Sequence, residues 1–551
     1  MTVAPSAQQV AAIEERGVVF VSAGAGTGKT TVLVERFVKA LVEDGVDVDS
    51  LLVITYTERA AGELRARIRA RLVELGGSDL AQDLDAAWIS TIHGFCSRVL
   101  RSHAVAAGLD PRFRVLDESQ AKVLRAEAFS TALTSFCATK EPDRVALLAT
   151  YGSQGLRSML TAVHGRLRSA GWPLELGTGD EAALTDALQQ LREALAEDRP
   201  GDTAEADSLL SDLIGNEPTP EQLIDIDSWL PTELLKSAGL EGPVGDVQAA
   251  ALDTVARRDR GLLEQLLRDF DLAYVDAKRR ESAVDFEDLQ LLVRDLLVER
   301  VDVREELQWR FRSIMVDEFQ DTNRLQCELV DLLATGELFF VGDEFQSIYR
   351  FRHADVDVFR ERRNESGGVL SLTENYRSRP EVLAVVNHVF RTEFGERFEP
   401  LEPAGRFRGP EFGPAVEVTV VDKLAVRERG QDWRLAEARA LARRIDELVR
   451  LGACTPGEVA VLLAAGTGAD VFETALRERG LETYRAVGRG YYGQQQVVDI
   501  LSYLRLIQNR YDDEALVAVL ASPLVGVSND ALVLLRRAAS RRPIFAGLER
   551  S

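Results

Sequence analysis

Two stretches far apart in the chain have residue types and spacings that can do chemistry. The first is Ala23-Gly24-Ala25-Gly26-Thr27-Gly28-Lys29-Thr30-Thr31, which follows the β-branched apolar run Val18 to Val21 and precedes the helical spacing of Val32, Leu33, Arg36 and Phe37. Its glycines let successive backbone N–H groups turn toward phosphate oxygens. Lys29 then neutralises the outer phosphates of a nucleotide, Thr30 offers a hydroxyl to Mg²⁺, and the helix that follows adds the positive end of its dipole. Ala23 stands where the strict pattern has glycine. The second stretch is Ser313-Ile314-Met315-Val316-Asp317-Glu318-Phe319-Gln320-Asp321-Thr322. Three apolar residues and then two carboxylates put an acidic pair at a strand end, with Asp317 placed to hold Mg²⁺ and Glu318 to take a proton from a water attacking the terminal phosphate. Such a pair is a weak sign alone and a specific one beside a phosphate loop. Together the two stretches predict hydrolysis of ATP.

Other polar residues fall where strands are expected to end, which is where open α/β sheets keep their ligands. Leu51 to Thr57 reads as a strand ending in Thr55 and Thr57, and Trp88 to Cys96 as one ending in Thr91 and His93. A third, Leu338 to Val341, leads to Gln346, able to touch a phosphate or the attacking water, and then to Tyr349, Arg350, Phe351 and Arg352. The hydroxyls can bond a nucleic-acid backbone and the aromatics can stack on unpaired bases, although packing in a core is the common use of such rings. Gln9, on a short helix before the phosphate loop, can read an adenine edge or can simply face solvent. The arginines at 59, 65, 67, 69 and 71 can line a nucleic-acid track or form a solvated helix face.

The elements that position these residues need a large protein. At 551 residues the chain exceeds one core, and about three or four folding units are expected. A net charge of −23 argues against indiscriminate coating of nucleic acid while leaving room for a local basic groove. The four cysteines, Cys96, Cys137, Cys327 and Cys454, form no CxxC pair, so reduced buried thiols are expected rather than a metal cluster. No apolar run approaches the roughly 18 to 20 residues of a membrane span, and the first residues lack the pattern of a leader. A cytoplasmic protein without membrane contact is expected.

The set GAGTGKT, TYTERAAGELRARI, STIHGFC, VDEFQDT, VGDEFQSIYRFR and LTENYRS, in this order, resembles the motif series of superfamily 1A DNA helicases. STIHGFC, the DFEDL box at 285–289 and the ending FRHAD are similar to the RecB/AddA-like branch of the UvrD/Rep family. The resemblance covers residues 5 to 100 and 284 to 530 and implies an α/β fold of two RecA-like motor domains gripping ATP, with single-stranded DNA across their tops. It makes Gln9 the adenine reader, Lys29, Asp317, Glu318, Gln346 and Arg377 the catalytic set, and Thr30 and Asp317 the Mg²⁺ ligands. Thr55, Thr57, Thr91, His93, Tyr349, Phe351 and Arg352 become the DNA contacts. His353 replaces the family's usual glycine, and Ala464 stands where an arginine is common.

By the same resemblance, residues 1–103 and 284–366 form the first RecA-like domain, 104–283 an inserted helical domain whose acidic 176–227 segment is loop-rich, 367–510 an incomplete second RecA-like domain, and 511–551 the start of a further helical insertion. The second domain is expected to open with strand Val369 to Leu372 and to contain a buried strand from Glu458 to Leu463. The last motor motifs of the family, including its second arginine finger, do not occur, so an N-terminal portion of a longer protein is expected, one that binds ATP and hydrolyses it slowly. The implied activity is ATP-dependent 3′ to 5′ unwinding in DNA repair or recombination, on single-stranded and duplex-junction DNA, and the further partner implied is a second helicase/nuclease subunit. The alternative is a motor-like subunit that clamps DNA in a nuclease or defence complex without unwinding it.

Overall fold

The computed structural model describes residues 4–177, 182–196, 204–215, 218–226, 230, 235, 239–348, 356–366, 368–407, 413–430, 432–466, 468–485, 495–540 and 542–545. The chain divides into two compact units, Met1–Phe407 and Arg408–Ser551.

The first unit is built on strands β1 (Val18–Ala23), β2 (Leu51–Thr55), β3 (Trp88–Thr91), β4 (Arg114–Val115), β5 (Ala283–Val284), β6 (Ser313–Val316), β7 (Glu337–Gly342) and β8 (Val369–Leu372). Six of them form one parallel sheet in the order β3-β2-β6-β7-β1-β8. A parallel sheet has to be covered on both faces, which is why its strands are apolar throughout. Phe20, Leu52, Ile54, Ile314 and Phe340 pack on one face with Phe95 and Val293, whereas Val19, Val21, Val53, Met315 and Phe339 pack on the other with Phe37 and Ile68. Alternate residues along a strand point to opposite faces, so one run of sequence feeds two cores.

Strand order also places the chemistry. β7 lies between β6 and β1, so the acidic pair after β6 and the phosphate loop after β1 flank the end of β7. That end is Gly342, and a Cβ there would lie 2.4 Å from Oε1 of Gln320. Glycine is required because Gln320 crosses over this strand end.

Val369–Leu372, expected to open a second motor domain, instead pairs in parallel with β1 as the edge of the first sheet, with Phe20 opposite Val369 and Ala23 opposite Leu372. The apolar edge of β1 needs a partner, and this strand supplies it. Beyond β8, short strands β9 (Glu374–Asn375) and β10 (Glu402–Pro403) pair in parallel, so the segment through Phe407 belongs with the first unit.

Between β4 and β5 the chain runs through long helices Glu118–Ala138, Pro142–Ser169 and Glu241–Arg280 around a core that includes Phe129, Phe136, Phe270 and Tyr274. The second of these kinks at Gly152, whose φ is 65°. The described parts of the acidic segment include regular helix. Ala183–Ala196 and Ala204–Gly215 are helices, and Leu191 and Leu210 are fully buried in a separate small core. Leucines at helical spacing supply this core, while Asp186, Glu193 and Asp212 are exposed.

Where the insertion returns to the sheet, β4 pairs with β5, and a charged cluster is buried beside them. Nη1 of Arg168 donates to Asp285 at 3.0 Å, Arg168 also bonds Asp288, and Nζ of Lys278 lies 2.6 Å from Asp288 and 3.3 Å from Asp285. Burial alone would raise the pKa of Asp285, but Arg168 and Lys278 hold it far below the carboxylate range. Asp285 is also the N-cap of helix Phe286–Glu299, accepting from the Asp288 N–H at 2.8 Å. The cluster therefore fixes that helix to the last turns of two insertion helices.

The second unit contains helices Trp433–Arg450, Ala469–Arg477, Gln495–Gln508, Asp513–Ala521 and Asn529–Ala539, the first two joined through Ala438, Ala442 and Ala475. It has no strand among the described residues. The buried strand expected at Glu458–Leu463 instead starts at the end of a 3-10 turn, Pro456–Glu458, and continues as an irregular segment in which Leu462 is 93% accessible. An apolar run becomes a strand only beside another strand that takes its hydrogen bonds, and no such neighbour exists among the described residues of this unit.

Replacing Arg168 by Met is expected to lower unfolding free energy by about 3–5 kcal/mol, because it leaves Asp285 and Asp288 buried with Lys278 alone. Urea titration followed by circular dichroism measures this.

Candidate functional site

The phosphate loop leaves β1 and enters helix Lys29–Val42. Gly26 and Gly28 have φ of 71° and 89°, values at which a side chain is strained, so both must be glycine. Thr27 is buried, and its hydroxyl donates to the Gly24 carbonyl at 2.8 Å. Lys29 projects from the first helical residue and donates to Oε2 of Glu318 at 3.0 Å.

Glu318 itself has φ 50° and ψ 45°, a left-handed conformation that costs a non-glycine residue about 1–2 kcal/mol. This strain accompanies the turn that brings its carboxylate to Lys29. Burial would raise the Glu318 pKa, but Lys29, Gln320 and Arg377 together pull it below the ordinary value. Its neighbour Asp317 behaves in the opposite way. Burial, reinforced by the charge of Glu318, pushes its pKa up to about 6. Asp321 is also raised to about 6, by burial and the same neighbouring charge. The site holds more negative charge than Lys29 balances, which is the condition a divalent cation relieves. Thr30, half-buried in the first helical turn, and Asp317 give a hydroxyl and a carboxylate. Mg²⁺ bound with a triphosphate and water takes a donor set of this kind. Among the described residues no group of three or more His, Cys, Asp and Glu side chains gathers to hold a metal unaided. The residues present fit a cation that arrives with phosphate.

Several sequence-expected residues do converge here. Gln9 lies against the loop with both ends of its amide engaged, Nε2 donating to the Thr27 carbonyl at 2.8 Å and Oε1 accepting from the Ser6 N–H at 3.0 Å. These two bonds let Gln9 shape the loop and leave its amide one N–H and one lone pair besides. Ala23, Gly24 and Ala25 complete the strand-to-loop turn, while Thr31 is exposed. Arg377 is exposed, and its Cβ lies 2.7 Å from where a Cβ on Gly26 would be, so it belongs to the loop's own surroundings. Gln346 donates to Oδ2 of Asp343 at 2.6 Å, on the turn after β7.

Sequence reasoning passes over Gln320, which is 2% exposed and joins the turns after β6 and β7. Its Nε2 donates to Glu318 at 2.8 Å and its Oε1 accepts from the Asp343 N–H at 2.9 Å. Arg36, in sequence only part of a helical spacing, is a second such residue. Its buried guanidinium donates to the carbonyls of Ala12, Ile13 and Glu15, which caps the helix carrying Gln8 and Gln9. No pattern of spacing flags such long-range bonds.

The expected DNA contacts divide. Thr55 is buried and donates to the Thr57 carbonyl at 3.2 Å. Thr57 caps helix Glu58–Glu74, and Thr91 caps helix Ile92–Ser102 while donating to Glu58 at 2.6 Å. All three hydroxyls therefore have local structural duties. β3 ends at Thr91, so His93 stands in the first helical turn rather than on a strand. Tyr349, Phe351 and Arg352, with Arg350 and His353, lie outside the described residues. Of the arginines on Glu58–Glu74, Arg67, Arg69 and Arg71 pair with acids and Arg65 donates to the Ile89 carbonyl.

His93 lines a cleft of about 740 Å³ between the carboxyl ends of the strands and the helical insertion, with Asp317 and Asp321 on one wall and Arg125 and Thr161 on the other. Phe286 meets the His93 ring edge-on at 5.2 Å and is 40% exposed. Burial lowers the His93 pKa to about 4. The ring is neutral, and its Nε2 accepts from the amide of Gln290 at 3.0 Å. The unfolded chain takes up this proton near pH 6.5 and the folded chain only near pH 4, so stability falls as pH drops through that window. Between pH 7 and pH 5, urea unfolding is expected to record a loss of stability about 2 kcal/mol smaller for His93→Gln than for the parent chain.

Comparison with known proteins agrees with this geometry. A model of the UvrD/REP helicase N-terminal domain matches residues 5–366, and one of the UvrD-like helicase C-terminal domain matches residues 370–544. The chain is 29% identical over 648 aligned positions to an ATP-dependent helicase/nuclease subunit from Exiguobacterium sibiricum, covering 97% of this chain and 54% of that one. It is 30% identical over 722 positions to a protein of the same name from Moorella thermoacetica, covering 98% and 51% respectively. The chain spans about half the length of the curated relatives it matches. With a phosphate loop and an acidic pair on the strand ends either side of β7 and a family match across most of its length, the chain belongs to the UvrD/REP family of helicases.

Proposed function

We propose that the protein hydrolyses ATP to move along single-stranded DNA in the 3′ to 5′ direction and to open duplex junctions, in DNA repair or recombination. The observation that carries this reading is the pairing of Lys29 with Glu318 beside the buried Asp317. Backbone N–H groups of the loop would bind the triphosphate, and Lys29 would exchange Glu318 for phosphate oxygens. Glu318, released and held by Gln320, is then free to accept a proton from the water that attacks the terminal phosphorus as the bond to the leaving diphosphate breaks. Thr30 and Asp317 would hold Mg²⁺, which supplies charge neutralisation to the phosphates. Arg377 adds a cation beside the loop, and Gln346 is proposed to connect this chemistry to the DNA track.

For DNA, the reading rests on the cleft bearing His93 and Phe286 and on the family's motif positions, with Tyr349, Phe351 and Arg352 as proposed stacking and backbone contacts and Thr55, Thr57 and Thr91 shaping the strand ends. The names of the relatives support an associated nuclease and a second protein in the same complex. A motor acting on chromosomal DNA works in the cytoplasm. Residues 1–103 and 284–366, completed by β8 and the segment through Phe407, are proposed as the first RecA-like domain around the insertion, and residues 408–551 as contributing to a second.

Glu318→Gln is expected to slow single-turnover ATP hydrolysis by about 10²- to 10⁴-fold while nucleotide affinity changes by less than about threefold. Hydrolysis by the parent chain should rise when an unstructured single-stranded oligonucleotide is added. Parent-like hydrolysis in Glu318→Gln would refute the assignment of the base, and indifference to the oligonucleotide would refute the DNA motor.

A further inference from the structure

We infer that Asn375 is a positioning residue that fixes the phosphate loop in its anion-binding shape and sets the place of Arg377 through the same side chain. This rests on the reading that the loop takes a nucleoside triphosphate and that Arg377 meets its terminal phosphate.

Asn375 is 1% exposed, and its amide is bonded at both ends. Its Nδ2 donates to the Ala25 carbonyl at 2.5 Å, and its Oδ1 accepts from the N–H groups of Arg377 at 2.9 Å and Ser378 at 2.7 Å. Two backbone donors on the oxygen and one carbonyl on the nitrogen leave one consistent orientation of the amide. An asparagine that only shaped its own turn would use the oxygen and leave the nitrogen to solvent. Here the nitrogen reaches a different segment, across a sequence separation of 350 residues.

The neighbouring bonds give the nitrogen its meaning. The Tyr376 N–H donates to the Gly26 carbonyl at 2.9 Å, and Gln9 holds the Thr27 carbonyl at 2.8 Å. Three successive carbonyls, of Ala25, Gly26 and Thr27, are thus held from outside the loop. In a planar trans peptide the C=O and the following N–H point in opposite directions. Anchoring these carbonyls therefore turns the N–H groups of Gly26, Thr27 and Gly28 inward, as an anion requires. The approach is close enough that a Cβ on Gly26 would lie 2.8 Å from Nδ2 of Asn375 and 2.7 Å from Cβ of Arg377. Gln8 aligns the same segment, accepting from the Thr373 N–H at 2.9 Å and donating to its hydroxyl at 3.0 Å.

The test is a double-mutant cycle in the full chain with Asn375→Ser, Arg377→Ala and both changes together. Serine keeps an uncharged turn-forming oxygen and removes the donor to Ala25. Single-turnover ATP hydrolysis and ADP binding are measured for each, with thermal melting to verify folding. Asn375→Ser is expected to slow hydrolysis at least tenfold in the parent background and less than threefold when Arg377 is already alanine. ADP affinity should fall by a similar factor in both backgrounds, because the loop is loosened with or without the arginine. Equal fold losses of hydrolysis in the two backgrounds, or unchanged ADP affinity, would overturn the role given to Asn375. A parent-like rate in Arg377→Ala alone would overturn the underlying reading of the arginine, an outcome distinct from the other two.

Discussion

The candidate site is organised by one ion pair, Lys29 with Glu318, that spans the end of β7 and joins the turns following β1 and β6. It constrains much else. Gly342 lacks a side chain so that Gln320 can cross over it, Glu318 accepts a left-handed backbone to aim at the lysine, and Gln320 holds the glutamate from the other side. The lysine side chain is 11% exposed, so its charge is largely removed from water and needs a partner at all times. Glu318 supplies that partner in the absence of phosphate. In the proposed function, the same interaction is the one that nucleotide phosphates exchange with.

Around this pair the titration behaviour separates two adjacent carboxylates. Glu318 shares its charge with Lys29 and stays ionised, whereas Asp317, buried with no cation among the described residues in hydrogen-bonding reach, is reluctant to ionise. Neighbouring groups with diverging proton affinities are a mark of divided labour in a catalytic site. In the proposed function, one carboxylate receives a proton and the other a metal.

Much of the sheet and of the nucleotide site is legible in the sequence because local rules decide them. A β-branched run followed by closely spaced glycines and a lysine can only be a strand, a tight loop and a helix start, and Val18 to Thr31 folds in this way. An acidic pair after Ile314 to Val316 is equally local. What sequence does not disclose is pairing. Val369–Leu372 is recognisable as a strand, but its place beside β1 depends on a partner hundreds of residues earlier. The run at Val459–Leu463 is apolar enough for a strand and lacks a neighbour to make it one. Likewise Thr55, Thr57 and Thr91 invite a ligand-binding reading, and their hydroxyls instead serve a carbonyl and two helix caps, which hydroxyl residues at strand-to-helix turns commonly do.

The position of β8 has a consequence for how such proteins can be divided. The two family matches part between residues 366 and 370, at the start of the edge strand that completes the first sheet. Cutting there would strip β1 of a neighbour, expose the open hydrogen-bonding side of the strand that carries the phosphate loop, and remove Asn375 and Arg377 from its flank. Sequence modules and folding units are out of phase by about one supersecondary element, and an exchange of halves between relatives respects the architecture only if the seam falls after Phe407.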